Sequence, residues 1–367
     1  MTMPTTRLTL RLLARLGSVL LVTLAAAQVA RWGGMPLPWM LGPLIAAATL
    51  AMSRPAGHWL VPLFPNNIRS ICVGVVGLMI GGSFTPALMS SAGEWWITLL
   101  GMAVVTLVLQ WLNYLWFRRG MGLDPTTAWF SGSPGGLMEN IALGEAHGGD
   151  LRVISALQFL RIILVVITLP AAFSIWNGAP VGSSAGVQVP GPPLTATDGL
   201  LLVAALVLGQ WGARRLSLPA GVVVGPLIVS AIAHATGLIG GQVPPALVSG
   251  AQWLIGTALG LRFAGMQRAR LVQCLGGALV ALGISAVAVA AIIAIVRPFI
   301  DIPISALLLS YIPGGVVEMG LIALSIGANP VFVTAHHVFR ILIAVIITPQ
   351  IFLRHVAGRG ARTGVAK

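Results

Sequence analysis

Residues 272–296, VQCLGGALVALGISAVAVAAIIAIV, form one long run without a single charged side chain. Only lipid, or other segments of the same kind, can solvate such a run, and in that setting every backbone N–H and C=O must be satisfied within the chain. The rest of the sequence follows suit. Of its 367 residues 57% are hydrophobic and 8% charged, against about 25% charged in an ordinary soluble domain. These values predict an all-α polytopic membrane protein. The formal charge of +13 comes from 21 basic and 8 acidic residues. Its arginines fall mostly in short gaps between apolar runs, where they read as topology signals and headgroup contacts. No soluble stretch is long enough for a DNA-binding domain, so no direct nucleic-acid partner is expected. Cys72 and Cys274 both lie in apolar runs and make no disulfide framework.

The chain is written twice. Ser131, Pro134, Gly135, Gly136 and Glu139 match Ser310, Pro313, Gly314, Gly315 and Glu318, 179 positions apart (313 − 134). The same offset carries Gly77, Gly81 and Phe84 onto Gly256, Gly260 and Phe263, Arg161 onto Arg340, and Pro170 onto Pro349. Further upstream PLPWMLGPLI (36–45) resembles PAGVVVGPLI (219–228) at an offset of 183 (219 − 36). This predicts a first membrane repeat over 1–177, a Pro/Gly/Ser-rich linker over 178–198 and a second repeat over 199–367. The N-terminal run with Arg7, Arg11 and Arg15 has signal-peptide features, but its counterpart in the second half favours a retained helix.

Each half has six apolar segments, near 9–30, 36–53, 68–84, 95–117, 126–147 and 153–176, then 199–213, 219–238, 246–263, 272–296, 303–326 and 331–353. The fifth of each carries Pro-Gly-Gly. If it enters and returns to one side, Arg54, Arg69, Arg118, Arg119, Arg152, Arg214, Arg215, Arg268, Arg270, Arg354, Arg359, Arg362 and Lys367 share the cytoplasmic side with both termini, leaving Arg31 and Arg297 outside. Five crossings per half is odd, so the second half is then inverted relative to the first, a recurrent plan of secondary transporters. If the fifth segment crosses, the halves are parallel instead.

Pro134 and Pro313 break a helix, and the paired glycines weaken it further. A break at membrane depth must be buried or line a cavity. The restarted half-helix points a positive N-terminal end at that cavity, suited to an anion, while unwound carbonyls suit a cation. Glu139 and Glu318 fall in the first turn of the restarted helices, where each could simply satisfy that terminus. Arg161 and Arg340 follow 22 residues later (161 − 139; 340 − 318), inside apolar spans. An intramembrane charge is a functional candidate by default. The two Glu–Arg sets suggest structural ion pairs, a charged central site, or both. Asn140, Gln158, His336 and His337 could add hydrogen bonds. The six histidines are scattered, and no Walker-type GxxxxGK[ST] sequence occurs, so neither a metal centre nor ATP drive is expected. GVVGLMIGG (74–82) reads as a close-packing surface, and the Gly-Pro pairs at 42–43 and 225–226 as packing or kinks.

LPWMLGPLI, SPGGLMENIALGEAHGGDLRVISALQFLRI and their second-half copies resemble the AbrB membrane-protein family, a duplicated bacterial inner-membrane family, over nearly the whole chain. That resemblance implies the bacterial inner membrane and a likeness to cation/proton antiporters and anion transporters. Family labels also include regulator of gene expression and ammonia monooxygenase. The resulting expectation is a secondary transporter of a small anionic solute, coupled to H+ or Na+, without a cofactor and with homo-oligomer formation open. Its site would comprise Pro134, Gly135, Gly136, Glu139, Asn140, Gln158, Arg161, Pro313, Gly314, Gly315, Glu318, His337 and Arg340. The alternatives are a membrane regulator acting indirectly and a monooxygenase-like enzyme; the latter needs clustered His or carboxylate ligands, which the sequence does not show.

Overall fold

With almost no charge and no water to complete its backbone hydrogen bonds, the chain can satisfy them only within helices. The computed structural model describes residues 5–35, 37–53, 65–83, 93, 95–178, 194–218, 220–264 and 267–357, and no strand occurs among them. Pro36, Arg54, Phe84, Pro219, most of the expected linker (179–193), and Arg359, Arg362 and Lys367 lie outside the described residues.

Fourteen α-helices occur among the described residues. They are α1 (Thr5–Trp32), α2 (Pro38–Ser53), α3 (Asn66–Gly81), α4 (Trp96–Leu115), α5 (Pro125–Gly132), α6 (Leu137–Ala146) and α7 (Leu151–Asn177), then α8 (Ala196–Arg215), α9 (Gly221–Ala235), α10 (Pro245–Gly260), α11 (Arg268–Val296), α12 (Ile304–Tyr311), α13 (Val316–Ser325) and α14 (Pro330–Ile351). Six of these are long and apolar enough to cross a membrane: α1, α4, α7, α8, α11 and α14. At 15 or 16 residues, α2, α3, α9 and α10 span about 24 Å at most.

The bounds of α5, α6, α3 and the start of α7 recur 179 positions later in α12, α13, α10 and α14. Local chemistry recurs with them. Asp150 caps α7 by accepting from Arg152 N and Val153 N, and Asn329 caps α14 by accepting from Val331 N and Phe332 N. One boundary differs from expectation. Thr195 and Asp198 form a reciprocal capping box, so α8 starts at Ala196, inside the stretch read as linker.

The two halves interlock through glycines. A methyl group on Gly77 or Gly81 of α3 would stand 2.5 Å from the carbonyl oxygen of Val223 or Leu227 on α9. The equivalent Gly256 and Gly260 of α10 lie against the Met40 and Leu44 backbone of α2. Gly42 likewise admits the Ala26 carbonyl of α1, and Gly209 of α8 admits Pro226 of α9. Thus GVVGLMIGG and the Gly-Pro pairs serve close helix approach.

α4 and α11 pack antiparallel. Near the end of α4, Trp116 Nε1 donates to Gly277 O of early α11 at 3.0 Å. Near its start, Gly101 faces Val296 at the end of α11. α6 turns back alongside α5: the Asp150 N–H donates to Thr127 Oγ1 at 2.8 Å, and the His147 ring lies 6.0 Å from Phe130. In the second half Ile326, just after α13, shares a pocket with Pro303, Ile304 and Leu308 at the start of α12. That pocket also holds Phe173 and Trp176 of late α7 and Arg297 just after α11. The first hairpin opens instead beside early α11, where Asp150 pairs with Arg270 at 3.7 Å.

The glycine contacts give a direct test. Gly81→Ala should force α3 and α9 apart and cost about 1–3 kcal/mol. Gly283→Ala, on α11 with open space around it, should be neutral or stabilising by up to about 1 kcal/mol. Thermal melts in detergent should rank the two variants in that order.

Candidate functional site

The breaks are built from short local rules. Asp124 caps α5 by accepting from Thr127 N at 2.9 Å, and Pro125 occupies the first turn, where its missing N–H is harmless. α5 ends at Gly132, Ser133 is extended, and Gly136 turns left-handed at φ 66° before α6 starts. Gly315, its counterpart, has φ −83°. There the reason for glycine is space, because a Cβ would run into the Glu318 carboxylate.

The carbonyls released by each break find donors from neighbouring helices. Gln158 Nε2 donates to Phe130 O at 2.7 Å and Ser133 O at 3.2 Å, and Arg161 Nη1 also donates to Ser133 O. Gln110 and Asn113 of α4 donate to Trp129 O and Gly132 O. Asn140 folds back onto Gly135 O and Gly136 O. In the second copy His337 Nε2 bonds Leu309 O at 2.9 Å, while Arg340 donates from Nη1 to Ile312 O at 2.8 Å and from Nη2 to Gly314 O at 2.7 Å. Leu309 and Ile312 are the equivalents of Phe130 and Ser133. His336 instead bonds Phe332 O and Thr98 Oγ1.

Of the two readings of the Glu–Arg sets, the described residues do not form the structural ion pairs. Among the described residues the ion pair joins Arg270 to Asp150, and neither intramembrane arginine pairs with Glu139 or Glu318. The guanidinium groups cap chain carbonyls instead. Each glutamate stays with its own half-helix. Glu139 Oε2 lies 3.4 Å from where a Cβ on Gly136 would stand, and Glu318 folds over Gly315. The two half-helix N-termini therefore already have carboxylates beside them.

One cavity of about 610 Å³ unites the two copies. Gly135, Gly136, Glu139 and Arg161 line it from the first half, and Gly314, Gly315, Glu318 and Arg340 from the second. Pro134, Asn140, Gln158, Pro313 and His337 do not line it; they shape or bond the breaks behind it. The tip of the first break packs on α14, with a Gly135 Cβ position 3.1 Å from Ala344 Cβ. Glu318 and Arg340 are buried, 7% and 1% exposed, whereas Glu139 and Arg161 are half-buried.

Five polar wall residues were not singled out for the site by sequence: Arg69 and Ser70 of α3, Gln210 and Arg214 of α8, and Ser217 just after it. Arg69 and Arg214 were read only as topology markers. The duplication could not flag Arg69, because its counterpart is Val248. A separate cleft of about 740 Å³ between α4 and α11 is lined by Val, Leu, Ile, Ala and Gly, a surface for hydrocarbon rather than a polar solute. No group of three or more His, Cys, Asp or Glu able to hold a metal ion occurs among the described residues.

Long apolar helices around a buried, charge-lined cavity define a polytopic membrane protein. The chain belongs to the AbrB family: the family model described as "Transition state regulatory protein AbrB" matches residues 39–356. It is 26% identical over 354 residues to the uncharacterized protein YhjN of Bacillus subtilis (strain 168), covering 89% of each chain. It is 25% identical over 231 residues to the "Putative regulator AbrB" of Escherichia coli (strain K12), covering 62% of this chain and 64% of that one. No solved structure matches it.

Removing one carbonyl donor should be felt in stability. Gln158→Leu strips Phe130 O of its side-chain donor and takes one of two from Ser133 O, and should cost about 1–3 kcal/mol, seen as a lower melting temperature in detergent.

Proposed function

We infer that this protein is a secondary transporter of a small anionic solute, rather than an enzyme, in the bacterial inner membrane. The observation that carries this reading is that two broken helices of matching sequence bring their tips to one cavity. Broken helices meeting at the interface of two repeats are how such carriers build solute sites. Four arginines (69, 161, 214, 340) and two glutamates (139, 318) line the cavity, and this excess of positive charge suits an anion.

The repeats are inverted on this reading, each with five crossings and one re-entrant hairpin. Antiparallel packing of the equivalent helices α4 and α11 supports it. So does the return of each hairpin to its own starting end, the first beside early α11 and the second beside late α11. Arg118, Arg119, Arg152, Arg214, Arg215, Arg270 and Arg354 then share the cytoplasmic side with both termini, with Arg31 and Arg297 opposite. The cavity wall formed by Arg69, Arg214 and Ser217 lies toward that cytoplasmic end.

Glu139 and Glu318 are the candidates to carry a coupling proton; Na+ is the other ion such a site could use. The regulator label of the family and of the Escherichia coli relative is accommodated indirectly. A carrier that changes the level of a solute inside the cell alters gene expression without touching nucleic acid.

The test uses purified protein in proteoliposomes with an imposed pH gradient and labelled organic anions. Because Arg161 is tied to the Ser133 carbonyl and not to Glu139, Glu139→Gln should fold with a melting temperature close to that of the parent. Loss of pH-driven uptake in Glu139→Gln and Glu318→Gln is the expected result. Full flux in the folded double variant would remove both carboxylates from the mechanism.

A further inference from the structure

The two copies of the intramembrane arginine are in different states. Arg340 is 1% exposed and bonds chain carbonyls through both terminal nitrogens, leaving Nε as its one guanidinium nitrogen without a partner. Arg161 is half-buried and donates through Nη1 alone, to Ser133. Its opposite edge, Nε and Nη2, makes no hydrogen bond among the described residues, and the Nε atom is fully buried. That edge presents two N–H groups side by side, the fork that grips a carboxylate through two parallel bonds. Arg69 lines the same cavity and also has a buried, unpartnered Nε.

Buried donors without acceptors are unfavourable, and the chain's own carboxylates do not fill the need. Glu139 and Glu318 stay on their half-helix N-termini, and no direct ion pair joins them to these arginines among the described residues, although the Glu318 charge acts on Arg69 from beyond contact distance. Both arginines line the cavity that an anion would enter, whereas the half-helix ends already have carboxylates beside them. The same cavity has apolar wall residues, Val73, Phe159, Ile162, Ile255 and Leu259, beside the polar Ser70, Gln210 and Ser217. Inorganic phosphate would satisfy the arginines but leave this wall unfilled. A neutral molecule of the right shape would fill the wall but leave the arginine donors without a charged acceptor.

We propose that the cavity binds the carboxylate of an amphipathic organic acid, its head on the free edge of Arg161 and on Arg69, its hydrocarbon part against the apolar wall. This deepens the transporter reading and rests on the same cavity. At about 610 Å³ the space falls in the range of about 300–1,000 Å³ typical of small-molecule sites.

The test is isothermal titration of the purified full chain in detergent with isocaproate, with its neutral isostere isocaproamide, and with inorganic phosphate. Isocaproate should bind at least about tenfold more tightly than either, the factor expected for a charge-assisted hydrogen-bonded pair. Arg161→Lys keeps a cation for Ser133 but loses the fork, and should weaken isocaproate about tenfold or more. Arg69→Gln removes no hydrogen bond found among the described residues. It should weaken isocaproate comparably while melting like the parent, and it decides the matter if Arg161→Lys does not fold. Equal binding of acid and amide, phosphate as tight as the acid, no binding of any of the three, or unchanged affinity in Arg69→Gln would overturn the proposal. Isocaproate binding without flux in proteoliposomes sinks the transporter reading and leaves this site standing. Flux of another solute without isocaproate binding sinks this site alone.

Discussion

A carbonyl freed by a helix break cannot be left bare where neither water nor a following turn can reach it. That constraint organises this molecule. Each break releases several carbonyls, and each is surrounded by side chains whose role is to donate to them: Gln110, Asn113, Gln158 and Arg161 in one half, His337 and Arg340 in the other. A guanidinium suits the task because it offers five donors in a fixed plane. Its charge also faces the negative end of the preceding half-helix, at Ser133 and at Ile312, where a cation is favoured. The arginines are thus anchored by the chain itself, and the cavity is shaped by the same bonds.

The second constraint is proximity. Helix pairs α2–α10 and α3–α9 join one half of the chain to the other through glycine faces with no room for a methyl group. Lipid offers no hydrophobic drive for helices to associate, so close backbone approach and dispersion must supply it. Neither half could bury these faces alone. The hairpin tips are held in register because the scaffold beneath them is shared.

Much of this was legible in the sequence. The breaks at Pro134–Gly136 and Pro313–Gly315 follow from the intrinsic chemistry of proline and glycine, and the offset of 179 carried helix bounds, caps and donors from one half to the other. The partner of Arg161 was not legible. A spacing of 22 residues places Glu139 and Arg161 on segments that follow one break, but does not say that a carbonyl outcompetes the carboxylate for the guanidinium. Nor was Arg69 legible as a wall residue. Near a helix start it looks like any charge at a membrane border, and the symmetry that exposed the other residues is broken at Val248. What a duplicated sequence hides is the set of positions where its copies have diverged.

That divergence has a thermodynamic consequence. Two identical inverted halves would make the two end states of an alternating-access cycle related by a two-fold rotation and equal in free energy. Here Gln158 answers to His337, Asn140 to Met319 and Arg69 to Val248, and Arg340 bonds chain carbonyls through two nitrogens where Arg161 uses one. If the protein is the inverted-repeat carrier proposed above, it has a resting side when empty. Each 1.4 kcal/mol of that imbalance shifts the ratio of the two facings by about tenfold, and a solute must supply at least as much differential affinity to reverse it. In a carrier of that kind, the small chemical differences between the copies would set the direction in which the molecule waits.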